Sequence, residues 1–139
     1  MRVYKVVQEI NGDLVSFGQL PITLTVVYEP GRWANAPVGQ LFVFRYLEDA
    51  EQAIRERIHR HPVEIWEAEG TNPRRIMTSV HLGWVDHPNK ELLIRDLWER
   101  GLAYEHEATS RDYHHPDCVV LGCDQLKILS RLKRMPASE

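Results

Sequence analysis

The stretch from residue 41 to residue 69 constrains this chain most. LFVF at 41–44 is a short apolar run, LEDAEQAIRERIHR at 47–60 carries apolar residues at helical spacing, and VEIWEAE at 63–69 alternates apolar and charged residues. A period near four that gives way to a period of two reads as strand, amphipathic helix, strand. Such elements must bury their apolar faces on one another, which predicts a packed α+β domain. The helix is expected over residues 48–59. There Ala50, Ile54 and Ile58 recur every four positions beside Leu47 and Ala53, while Glu51, Gln52, Arg55 and Glu56 face water. Glu48, Asp49 and Glu51 at its start and Arg57, His59 and Arg60 at its end complement the helix dipole. Pro62 stops it.

The flanks extend the same architecture. Residues 2–10 (RVYKVVQEI) are rich in β-formers, and Asn11-Gly12 is a favoured two-residue hairpin turn, so residues 13–17 should return as a second strand. Residues 21–29 (PITLTVVYE) read as a third strand through their β-branched residues. A loop is expected over 30–39, marked by two prolines, two glycines and Trp33. Residues 76–82 suit a further strand, and Gly83 and Pro88 bracket a loop around Trp84. A second helix is expected from Asn89 to Gly101, with Leu93, Ile94, Leu97 and Trp98 as its buried stripe. A polar excursion over 103–117 and two strands, 118–121 and 126–133, complete the chain. The expectation is one α+β domain over residues 1–139, a mostly antiparallel sheet with two main helices.

Composition narrows function more than it names it. The chain has 139 residues, of which 43% are hydrophobic, enough for one core and too many for disorder. A formal charge of −3 argues against a general nucleic-acid binder, so nucleic acid is not expected as the main partner. Basic residues cluster at Arg55, Arg57 and Arg60 and at Lys127, Arg131, Lys133 and Arg134. Only four of the 17 basic residues are lysines, a balance that suits bidentate pairing with carboxylates and also follows from a GC-rich genome. Apolar runs are far shorter than a membrane span. With two cysteines, Cys118 and Cys123, and no signal peptide, a cytoplasmic location is expected.

Few residues point to chemistry. His114, His115, Asp117, Cys118, Cys123 and Asp124 could all bind metal. The two cysteines, however, are separated by four strand-like residues, which suits a buried Cys118 and a polar loop better than a zinc knuckle. His59 and His61 flank Arg60 where the expected helix ends, and a favourable helix-terminus charge accounts for them. Glu67 and Glu69 should share one strand face, separated by an inward Ala68. Arginine-specific ADP-ribosyltransferases carry such a Glu-x-Glu pair with an arginine on the first strand, where Arg2 stands here. They also carry a Ser-Thr-Ser strand, for which Thr23-Leu24-Thr25 is a poor substitute. No oxyanion-forming glycine turn precedes either cysteine, so neither catalytic residues nor a cofactor are expected. Arg32 beside Trp33, and Arg74 and Arg75 near Trp84, are the candidate protein-binding residues, because tryptophan and arginine anchor interfaces. The competing reading has both indoles capping the ends of the core. Trp66 and Trp98, within regular elements, are expected in the core.

Taken together, YKVV at Tyr4, VVYEPGRW at Val26, LFVF with LEDAEQAI at Leu41, VEIWEAE at Val63 and CDQLKILSRL at Cys123 resemble a set of small bacterial and phage proteins. More specifically, the chain resembles the host-RNA-polymerase-binding regulators of Thermus bacteriophage. The resemblance implies a transcription regulator and not an enzyme. It implies binding to the flap of the polymerase β subunit and to σ region 4, which would be displaced from the promoter −35 element. Promoters with an extended −10 element would stay usable, and antitermination belongs to the same picture. No motif carries binding residues over.

Overall fold

The computed structural model describes residues 1–17, 22–56, 58–76, 89–99 and 120–138. Trp84, Arg57, His114, His115, Asp117, Cys118 and the strand expected over 76–82 beyond Ile76 lie outside the described residues.

Strands Arg2–Ile10 (β1) and Asp13–Ser16 (β2) form the expected hairpin. Its turn residues Asn11 and Gly12 have φ of 52° and 86°, the left-handed pair that a type I′ turn requires. The third strand is shorter than its composition suggests. Ile22–Leu24 is a 3₁₀ turn, and only Val27–Tyr28 (β3) pairs, with β2. Tertiary contacts outweigh β propensity there: Leu24 is buried, and the Thr23 hydroxyl donates to Glu91 Oε1 at 2.6 Å. Conversely, the loop expected over 30–39 contains a strand, Trp33–Asn35 (β4). Gly31, at φ 81°, turns the chain back and donates its N–H to the Ile128 carbonyl at 2.9 Å, which sets the next residues alongside a strand.

Next come Leu41–Phe44 (β5), helix Leu47–Arg55 (α1) and Val63–Gly70 (β6), the strand, helix and strand expected from their periodicities. In α1 Ala50 and Ile54 are buried, but the helix ends before Ile58, which is 82% exposed. Once the helix stops, a four-residue repeat no longer selects a face. Arg74–Arg75 (β7), Lys90–Glu99 (α2), Val120–Cys123 (β8) and Gln125–Met135 (β9) follow. Among the described residues the expected two main helices are not borne out. Among them, α1 is the helix whose buried Ala50 and Ile54 cover the outward apolar residues of the sheet. The helical stretch α2 touches its margin, where Trp98 tilts against Phe42 at 5.6 Å between ring centroids, and it leaves Leu92 60% exposed.

All described strands belong to one sheet, and every described pairing is antiparallel. The sheet curls into a ring. β1 pairs with β6 on one side and with β5 on the other. β5 pairs with β8, and β6 with β9. β8 runs into β9 through a bend at Asp124, so the circuit of hydrogen bonds closes. The pairs Gly70↔Leu126 and Arg74↔Gly122 hold one register, so β6 and β7 are one bent strand against β8 and β9.

Alternation along the strands divides two cores. Val3, Val7, Leu41, Val43, Ala68, Leu121, Cys123, Leu126 and Ile128 fill the inside of the ring. Val6, Phe44, Val63, Ile65 and Val120 point outward and are covered by Ala50 and Ile54 of α1. At Gly70 a Cβ would stand 2.5 Å from the buried Cys123 Sγ. Gly70→Ala is expected to lower stability by about 1–3 kcal/mol, measured as a lower urea midpoint, because neither backbone nor thiol has room to give.

Candidate functional site

On the outer face, register places four side chains in one line across four strands. Arg2 of β1 pairs with Glu69 of β6, Glu69 with Lys127 of β9, and Lys127 with Trp33 of β4. At the spacing of neighbouring strands the line spans roughly 14 Å. Glu67 and Glu69 flank the fully buried Ala68, as the alternation predicts. Arg2 Nη1 lies 3.0 Å from Glu67 Oε1, and Arg2 Nε lies 3.7 Å from Glu69 Oε2. Hydrogen bonding from the Met1 ammonium, at 2.9 Å, holds the Glu69 carboxyl below the usual range, and the charges of Arg2 and Lys127 add to this. At the far end, Lys127 Nζ sits 4.8 Å from the centroid of the Trp33 ring, a cation–π contact. Trp33 remains 44% exposed. The row therefore alternates cation, anion and cation and ends in a displayed indole.

The other residues singled out from the sequence divide. Arg32 adjoins the row and pairs with Glu29 at 3.2 Å. Arg74 and Arg75 are exposed but lie against β8, beyond the bend, so they do not join Trp33. Trp84, expected near them, is outside the described residues. Trp66 is packed against the inner core, and its Nε1 donates to Glu64 Oε1 at 2.8 Å. His59 is no helix terminus: it lies past the end of α1, buried, with its Nδ1 3.1 Å from the His61 carbonyl and its ring edge-on to Phe17. Cys123 is fully buried, and burial pushes its thiol up to about 11, which leaves it protonated. Among the described residues no three His, Cys, Asp or Glu side chains gather as a metal site.

Two features were missed in the sequence. Glu64 is nearly sealed; its Oε2 accepts from Arg131 at 3.4 Å and also from Arg134, which bridges onward to Glu9. The second is Lys5, which points into the ring between Val3 and Val7 and is 7% exposed. Its Nζ donates to the Phe42 carbonyl at 2.7 Å and lies 5.3 Å from the centroid of the Tyr28 ring. Burial lowers its pKa from 10.5 to about 8. The signal was present, since period-two spacing already sets position 5 on the face of residues 3 and 7.

The chain matches no family model, no curated protein and no solved structure.

Chemically, the outer row offers a mixed-charge surface and one large aromatic. The two carboxylates are occupied by an arginine and an ammonium, so as they stand they act as ion-pair acceptors. No described helix is long and apolar enough to cross a membrane.

Proposed function

We propose that the protein is a phage-encoded regulator that docks on host bacterial RNA polymerase, at the β-subunit flap and σ region 4, through the outer row. The observation that supports this most is Trp33. An indole 44% exposed on a short edge strand, flanked by Arg32 and Lys127, is the composition of an interface anchor. The sequence resemblance supplies the partner. Among the described residues β4 pairs with β9 alone, so the strand lies at the border of the sheet.

Docking on two larger surfaces at once needs a stiff body and no cofactor. Held on the flap, the protein favours the arrangement in which σ region 4 is away from the −35 element. The population shifts by the difference in affinity between the two arrangements. Promoters dependent on −35 contact fall silent, those with an extended −10 element continue, and antitermination follows from the same attachment to the elongating enzyme.

Immobilised protein should retain polymerase core or σ factor from a host lysate. Trp33→Ala should weaken that binding by roughly 30-fold, the size of an interface hot spot, with an unchanged unfolding midpoint. If neither polymerase nor σ is retained, the reading fails.

A second reading has one observation in its favour. The structure brings Arg2 against Glu67 and Glu69, the arginine and Glu-x-Glu pair of ADP-ribosyltransferases. Incubation with NAD and an arginine-rich acceptor, followed by mass spectrometry, separates it from docking: modification that disappears in Glu69→Ala would support the enzyme. A metal-stabilised module around His114–Cys123 is tested by metal analysis of the purified chain, where absence of stoichiometric zinc disposes of it.

A further inference from the structure

We propose that the open edge of β9, over residues 129–135, takes up an extended acidic segment of the protein's partner as an added β-strand. The inference rests on the docking reading above and names how the partner is held.

β9 is 11 residues long, and its two edges are unequally used. Along one edge β6 pairs with it from Leu126 to Met135. Along the other, β4 pairs only with Gln125, Leu126 and Lys127, and the Gly31 N–H adds one bond to the Ile128 carbonyl. There Gly31, at φ 81°, turns the chain away. Among the described residues no backbone group bonds to that edge over 129–135. An edge of roughly 20 Å is therefore left with unpaired N–H and C=O groups, in line with β4 and contiguous with the Trp33 row.

Two β-bulges shape this edge. Trp66 pairs with Arg131 and Ile65 with Lys133, so Leu132 opposes no residue of β6; Leu129 is skipped in the same way between Ile128 and Ser130. A bulge re-aims its extra side chain. Leu132 is 41% exposed and belongs to neither described core, so it offers an apolar contact on the open edge. The charge along the strand has one sign: β9 carries Lys127, Arg131, Lys133 and Arg134 and no acid. The carboxylates that pair with the last three stand behind them, Glu64 on β6, Glu9 on β1 and Glu51 on α1. Those acids are buried or half-buried, whereas Arg131, Lys133 and Arg134 are exposed, so an approaching strand meets cations. A second copy of β9 would set these cations against one another, which favours a partner strand that carries carboxylates. Main-chain bonds would supply affinity, and the cations with Leu132 selectivity.

Hydrogen exchange of the full chain, free and bound to polymerase holoenzyme, tests this. In the free chain the outward amides of 129–135 should exchange quickly, and in the complex they should gain at least about tenfold protection. Leu132→Asp should weaken retention of the holoenzyme by roughly 30-fold and Leu132→Lys by no more than about threefold, because only the aspartate repels an acidic strand. Unfolding midpoints should not change. Holoenzyme retained without added protection at 129–135 overturns strand addition and leaves docking through the outer row standing. Equal losses in the two variants overturn the acidic partner. Protection that grows instead with the concentration of the free chain marks self-pairing and also overturns it. No retention of polymerase or σ factor fells the docking reading, and this inference with it.

Discussion

Lys5→Met is expected to make the protein more stable by about 2–3 kcal/mol at pH 7. Burial carries the Lys5 pKa from 10.5 to about 8, and each pKa unit corresponds to about 1.4 kcal/mol, so holding the charge inside costs roughly 3 kcal/mol. Methionine fills the same unbranched volume without a charge, and the lost contact to the Phe42 carbonyl returns about 1 kcal/mol of the gain. The sign with pH follows from proton counting. Below pH 8 both states carry the proton, and the full penalty is present. Between 8 and 10.5 the unfolded chain binds more protons than the folded one, so stability rises with pH. From about pH 10 the unfolded chain also begins to lose the Tyr28 proton, which the fold retains, and this opposes the rise. Urea unfolding of both proteins from pH 7 to 10 should show curves that converge as pH rises. Parallel curves would mean that Lys5 is solvated after all.

Ile65→Ala is expected to lower stability by about 3–4 kcal/mol, a large share of what a domain this size possesses. Ile65 is fully buried at the point where three elements meet. It pairs with Val6 on β1 and with Lys133 on β9, and its side chain belongs to the cluster that Ala50 and Ile54 of α1 cover. Truncation would leave a cavity between helix and sheet that neither can close, because the ring of strands restrains β6 on both edges. The urea midpoint should fall with little change in slope. A loss below about 1 kcal/mol would show that α1 settles into the space, and that the helix is less firmly seated than its burial indicates.

Local patterns were legible where two neighbours in sequence suffice to set them. The β1–β2 hairpin follows from Asn11-Gly12, and α1 and β6 follow from their periods. The Glu67/Glu69 face was readable for the same reason. Trp33 was expected in a loop because prolines and glycines surround it, yet Gly31 turns the chain onto β9 and makes a strand of it. That contact joins residue 31 to residue 128, and no local pattern contains it. Lys5 misleads in a different way: a charge in a β-rich run reads as solvent-facing until the second side of the sheet is known to be enclosed.

By itself, then, the sequence determined the β1–β2 hairpin, the β5–α1–β6 unit, the α+β class and the faces on which their side chains stand, because these depend on torsions and on spacing of two or near four residues. Only the tertiary structure decided that the strands close into a ring, that position 5 lies inside it, and that Arg2, Glu69, Lys127 and Trp33 stand in line. Those outcomes depend on pairings between residues about 40 to 125 positions apart, such as Tyr4 with Phe44, Glu69 with Lys127 and Arg134 with Glu9. The entropy of closing such loops is repaid only once the whole sheet is assembled, so no segment carries the information alone.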